Sequence, residues 1–483
     1  MSELVRSVGL LSGQQLVLML IGALRTKLVA TLLGPAGTGL LAQAVALQDV
    51  LRQASMLGAS NGFLKLVAEA VGRDDRRTLQ RLIPSAFALF GGLAVVLALG
   101  SALLAPSLAR LAFHDDGLAN LVVIGALGVV FAVPAALLQR LLSGALQFRA
   151  YAQLAIADAL VGLLAMGWLV WLAGLTGAVS ALVVGEVATV AIGAVLVGRF
   201  VLRPRDIALR LGAVDTVIVR RLVRLAGALA LTSLTSAGAA LVVRAAIIGR
   251  VGAEANGYYQ VAWQVGQNYL GILSASLWTY GMPKVATKLD DPQAIQALQD
   301  DFLRLALAAL APGIVVLLCS RDLWVPVLYT PAFRAAAPML CWQLGGELIA
   351  MLRQSMNISL LPRERLGFLL FQAIFYWAGW AVLALLLLPH LGATGAALAY
   401  CAANVATLVV TFAYHRRVLA YRVRPDNARL LAVTLPGFAL AVLLASGDEV
   451  LGARLVPLAL VGAWVVWNRR IYIEAIASLR GRP

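Results

Sequence analysis

Residues 25–65 read RTKLVATLLGPAGTGLLAQAVALQDVLRQASMLGASNGFLK. Apolar runs flank Gly34-Pro35-Ala36-Gly37-Thr38-Gly39, so this stretch is expected to be the end of one membrane helix, a tight turn, and most of a second. Yet it carries Arg25, Lys27, Arg52 and Lys65, together with Asp49. A charge at bilayer depth costs at least ~2.5–3.5 kcal/mol and normally faces a watered cavity where it has a task. The stretch therefore sets both the fold and the question of what such a cavity holds.

Working outward, the whole chain has the same character. Only 13% of the 483 residues are charged and 61% are hydrophobic, against about 25% charged in soluble domains. The formal net charge of +16 lies in short loops between apolar runs, which is a topology signal and not a nucleic-acid footprint. Cys319, Cys341 and Cys401 have no metal-ligand spacing, and no cofactor or metal is expected. No GxxxxGK[ST], G-x-S-x-G or H-E-x-x-H occurs, so neither nucleotide hydrolysis nor other enzymatic chemistry has a motif behind it.

Fourteen membrane spans are expected, the first over 8–33 and the last over 452–470. The second (39–71) and eighth (255–286) are long enough to need tilting or bending, and the ninth (302–319) is short. The fold class is thus an all-α polytopic membrane protein with a central cationic cavity. Lys and Arg crowd alternate loops, from Arg73, Arg76, Arg77 and Arg81 to Arg416, Arg417, Arg422 and Arg424. The rich side is expected to be cytoplasmic, with both termini there.

An internal repeat appears at an offset of 218 residues. Gly34–Gly39 falls on Gly252-Ala253-Glu254-Ala255-Asn256-Gly257, and Thr176-Gly177-Ala178 falls on Thr394-Gly395-Ala396. Two matches at one offset imply pseudo-symmetric six-helix halves, 1–210 and 211–420, plus two extra helices and a tail over 421–483. Six spans per half is an even number, so the halves are parallel repeats, with substrate expected between them near mid-membrane.

The polar residues within spans are the candidate site. Arg25 is nine residues before Gly34, about 13 Å below the turn, and Arg52 is thirteen residues past Gly39, about 20 Å down. Ser7, Gln14 and Arg25 share one helix face, whereas Lys27 lies about 200° away. Lys27 then either snorkels along apolar surface or meets a neighbouring helix. Asp49–Arg52 and Lys65–Glu69 have spacings that also suit plain intrahelical ion pairs. Arg244 and Arg353 complete the cationic set. Gln264, Gln267, Asn268, Tyr269 and Gln343 suit sugar hydroxyls and ring faces, against the alternative of an aromatic interface belt. Asp49, Asp158, Glu186 and Glu347 are either buried acids of structural use or groups that couple transport to protons or cations. Arginine donates two parallel hydrogen bonds to phosphate, so an anionic, phosphate-bearing cargo is expected.

At Lys27-Leu28-Val29-Ala30, Gly34–Gly39 and Asn61-Gly62-Phe63-Leu64-Lys65, the sequence resembles the O-antigen translocases (Wzx) of the multidrug/oligosaccharidyl-lipid/polysaccharide exporter superfamily. The stretch from Gly257-Tyr258-Tyr259-Gln260 to Tyr280-Gly281-Met282-Pro283-Lys284 is similar to that family's second half. Fourteen spans instead resemble the lipid II flippases, whose cavity arginines have the spacing that Arg25 and Arg52 keep from Gly34 and Gly58. The resemblance implies an inner-membrane flippase for an undecaprenyl-pyrophosphate-linked glycan, working beside membrane lipid and a polysaccharide polymerase. Two rivals stand beside it. A drug/cation antiporter should have an acidic cavity, and a non-transporting scaffold would leave the buried arginines without a use.

Overall fold

The computed structural model describes residues 2–207, 214–270, 284–289, 291–446 and 451–469. Every regular element among them is helical, as expected of a chain that must satisfy its backbone inside lipid. Among the described residues, eight helices are long and apolar enough to cross a membrane. The chain divides into two compact units, residues 1–257 with 328–330, and residues 258–327 with 331–483.

In the first unit, α1 (Ser2–Met56) is two arms folded at Gly34, whose φ of 64° and ψ of −170° leave the helical region. After α2 (Ser60–Gly72), α3 (Arg76–Ala86), α4 (Gly92–Leu103) and α5 (Ala105–Phe113) come α6 (Ala119–Gly144) and α7 (Phe148–Val197). The two arms of α7 meet at Ala173 and Gly174. The unit continues into α8 (Thr216–Val251) and the start of α9 (Ala253–Gln264). The long second span expected over 39–71 is broken where Leu57 and Gly58 take φ of 48° and 66°, so its length is absorbed by a bend.

The second unit comprises the rest of α9, then α10 (Pro292–Cys319), α11 (Arg321–Leu328), α12 (Ala337–Asn357), α13 (Leu366–Val418), α14 (Pro425–Ser446) and α15 (Leu451–Trp467). The arms of α13 fold at Gly392, φ 58°. The short ninth span is corrected. α10 starts at Pro292, capped by Asp291, whose carboxylate accepts from the amides of Gln293 and Ala294 at 3.0 Å. Its polar opening turns, with Gln293, Gln296 and Asp300, carry the helix beyond the apolar run.

The 218-residue offset reappears in the backbone. Gly34 and Gly252 both have positive φ, as do Gly174 and Gly392, and so do the non-glycines Leu146 and Glu364. Left-handed conformations are costly for residues with a Cβ, so the repeat preserved its turns with glycine where it could. Two of these turns touch inside the first unit. A Cβ on Gly39 would lie 2.1 Å from the Ala253 carbonyl oxygen, and one on Gly257 would lie 2.0 Å from that of Pro35. The Asn256 amide closes the contact by donating to the Gly39 carbonyl at 2.7 Å. Within lipid, association comes from this kind of close packing through small residues.

Two apolar clusters hold the first unit. One gathers Phe63, Leu79, Phe90, Leu141 and Leu154, and the other Val29, Leu47, Phe113, Met166 and Val170. Along both arms of α7 and the second arm of α1, residues in and beside these clusters line a cavity.

Candidate functional site

The cavity has a volume of about 610 Å³ and is walled by both arms of α1, by α6 and by both arms of α7. All of its lining belongs to the first unit. Gln14 and Arg25, which share a face of α1's first arm, both line it. Arg25 is exposed to this space. Two glycines make room for the charges. A Cβ on Gly162 would come within 3.9 Å of the Arg25 guanidinium, and one on Gly185 within 3.8 Å of the Asp158 carboxylate.

The second arm of α1 contributes Asp49 and Arg52, joined by an ion pair of 2.8 Å and each partly open. The arms of α7 contribute Asp158 and Glu186. Asp158 accepts a hydrogen bond from the Thr189 hydroxyl at 2.7 Å, which fixes its carboxylate. The wall therefore carries two guanidiniums and three carboxylates. Cationic is too simple a description, because acids on α7 face the arginines on α1.

The remaining sequence candidates lie elsewhere. Lys27 donates to the backbone carbonyl of Tyr329, so it meets a neighbouring segment of the same chain. Lys65 is 68% exposed and pairs with Glu69 at 3.8 Å, while Glu69 also accepts from Arg221 at 3.2 Å. Arg244 is buried in α8, away from the cavity wall.

In the second unit, Arg353 stacks over the Tyr376 ring at 5.0 Å. Glu347 accepts from the Tyr400 hydroxyl at 2.7 Å, and from Gln343 and Gln267 at 3.4 Å each. Those two glutamines, expected from sequence as sugar contacts, both donate to one half-buried carboxylate. Gln264 closes α9. The side chains of Asn268 and Tyr269 lie outside the described residues.

Sequence reasoning did not single out Gln48, Gln139 and Tyr151, which also line the cavity. Their signal was available in part, since Tyr151 and Asp158 are seven residues apart and so share a helix face. Nothing in the sequence placed that face opposite Arg25.

A bundle of broken apolar helices enclosing a charged cavity is the fold of a membrane transporter. Residues 28–338 match the model of a family described as polysaccharide biosynthesis proteins, and the chain belongs to that family. It is similar to the lipid III flippase of Escherichia coli (strain K12), with 26% identity over 400 residues, 81% of this chain and 92% of that protein. The lipid III flippase of Shigella flexneri gives the same figures. Among solved structures, the lipid II flippase MurJ in an inward closed conformation superimposes with a TM-score of 0.72 at 14% identity, covering 98% of this chain and 100% of that one. An inward-facing multidrug resistance MATE family transporter of the MOP superfamily gives a TM-score of 0.58 at 15% identity, covering 83% and 94%. These relatives are flippases and transporters, not catalysts.

Proposed function

We propose that the protein is a flippase for an undecaprenyl-pyrophosphate-linked oligosaccharide, O-antigen or a related repeat unit, which it moves from the cytoplasmic to the periplasmic leaflet of the bacterial inner membrane by alternating access. The observation that carries this reading is the opening of Arg25 and Arg52 into one cavity inside an apolar bundle. Its volume lies within the range of small-molecule sites. Guanidiniums in a low-dielectric wall suit a pyrophosphate, which they grip in bidentate fashion. The named flippase relatives agree in class, and the excess of Lys and Arg on alternate loops supports cytoplasmic termini.

The three carboxylates bear on coupling. A dianionic pyrophosphate brought beside ionised Asp49, Asp158 and Glu186 is repelled, and in this setting the Coulomb cost is large. Protons or a cation therefore enter with the headgroup, and these acids are the groups that take them. A lipid II-type cargo is the second reading. The full-length likeness to a lipid II flippase fold favours it, and it uses the same arginines. A drug/cation antiporter is favoured only by the acids.

The test is transfer of fluorescently labelled polyprenyl-pyrophosphate-linked glycan across liposomes holding the purified protein. Arg25→Ala and Arg52→Ala each reduce transfer at least a hundredfold while the protein stays folded and inserted. Wild-type transfer rates in both variants reject the arginines as the site, and organic-cation efflux without lipid transfer favours the antiporter.

A further inference from the structure

The charged groups occupy only part of the cavity wall. Gln14, Gln139 and Tyr151 line the same space from α1, α6 and α7. The side chains of the three make no hydrogen bond among the described residues. Gln14 is the most informative. It is 7% exposed, and its side-chain carbonyl Oε1 is buried with no donor among the described residues. Leaving a buried acceptor unmade is costly, and an apolar residue of the same shape avoids that cost. A group kept in this state serves something that arrives with its own O–H or N–H.

The spacing shows what that arrival must look like. Gln14 is eleven residues before Arg25 on nearly the same helix face, a rise of about 16 Å. Tyr151 is seven residues before Asp158, about 10 Å along its own arm. Gln139 lies near the end of α6 that leads into α7 at Phe148, close in sequence to Tyr151. The uncharged band thus continues from the charged one toward the arginine-rich end of the bundle. A ligand that spans both bands is ionic at one end and rich in hydroxyls at the other. Glutamine supplies donors and an acceptor, and tyrosine adds a hydroxyl and a ring wall for C–H faces.

We infer that Gln14, Gln139 and Tyr151 form a hydroxyl-reading subsite for the sugar next to the pyrophosphate. This rests on the flippase reading above and deepens it, because it assigns sugar recognition to α1, α6 and α7. Sites that hydrogen-bond a substrate hydroxyl reject analogues lacking it, since the site's own polar groups are then left unpaired.

The experiment compares two probes on purified protein in nanodiscs: a polyprenyl pyrophosphate, and the same lipid carrying one N-acetylglucosamine. Wild type is expected to bind the sugar-bearing lipid about tenfold more tightly. Gln14→Leu and Gln139→Leu each erase most of that difference and leave affinity for the bare lipid unchanged. Tyr151→Phe, which deletes a single hydroxyl with little risk to folding, gives a loss of a few-fold on the sugar-bearing lipid alone. Equal affinities in wild type, or equal losses on both lipids in the variants, overturn the subsite while the flippase reading stands. If neither lipid binds wild type, the flippase reading falls and the subsite with it.

Discussion

Gly162, on the first arm of α7, opens toward the Arg25 guanidinium. In the repeat, 218 residues later, stands Trp380, buried and stacked on Trp263 with ring centroids 5.2 Å apart. The same substitution of bulk for space recurs around it. Val45, Asp158 and Leu182 line the first cavity, and their counterparts are Trp263, Tyr376 and Tyr400. Those rings pack together, Trp263 against Tyr400 at 5.8 Å and Tyr376 against Tyr400 at 6.1 Å. Glu186 has become Asn404, which donates to the Tyr376 hydroxyl at 3.4 Å. Positive-φ glycines recur at this offset, while the positions between them line a charged cavity in one case and hold packed rings in the other. The difference between the two is one of side-chain volume.

The most demanding test of this comparison is to exchange the two residues. Gly162→Trp is expected to fill the first cavity and abolish glycolipid transfer in liposomes, with insertion and folding checked alongside, because a Cβ there points at the Arg25 guanidinium from 3.9 Å. Trp380→Ala does the reverse. It hollows a packed ring cluster and should cost about 3–5 kcal/mol of stability, read as an earlier thermal unfolding in detergent. Unchanged transfer in the first variant, or unchanged stability in the second, would show that the halves do not differ in this way.

A smaller effect tests what the halves share. Gly34→Ala, Gly174→Ala and Gly252→Ala place a Cβ in open space, so only the backbone conformation is penalised, at roughly 1–3 kcal/mol each. Similar losses at all three positions support equivalent turns. Gly39→Ala should cost more, since its Cβ meets the Ala253 carbonyl. A neutral Gly39→Ala would contradict the turn-to-turn contact.

The smallest effect lies in the arginine-rich loops. The Thr78 hydroxyl and amide, at 2.6 and 3.0 Å, hold the Asp75 carboxyl below the usual carboxylate range. The amides of Val217 and Ile218, with Arg81, do the same for Asp215. A depressed folded pKa means that the stabilisation is complete above the unfolded value, near pH 4, and is lost as pH falls through the folded one. Asp75→Ala and Asp215→Ala should lower the melting temperature slightly at neutral pH, and the difference from wild type should shrink on acidification. A difference that grows in acid would refute the capping role.

Much of this was legible in the residues themselves. The offset of 218 came from two short matches, the glycine-bounded turn and Thr-Gly-Ala, because a tight turn between antiparallel helices restricts what can stand there. The facing of Gln14 with Arg25, away from Lys27, followed from 100° per residue. Other parts were not legible. Lys65, Arg244 and Arg353 are the same kind of residue as Arg25 and Arg52, yet one is surface-paired, one buried in α8 and one stacked on a ring. Gln343 and Gln267 read as sugar-contact candidates, and their shared partner Glu347 was not legible in the sequence.

The chain by itself determined that it is a set of apolar membrane helices broken at glycines, since hydropathy, helical period and backbone sterics are local properties. The folded structure alone decided that α7 brings Asp158 and Glu186 to the arginines of α1, and that Trp263, Trp380 and Tyr400 close the matching space. A helix's periodicity says which residues share its face, whereas the partner of that face depends on packing between segments more than a hundred residues apart.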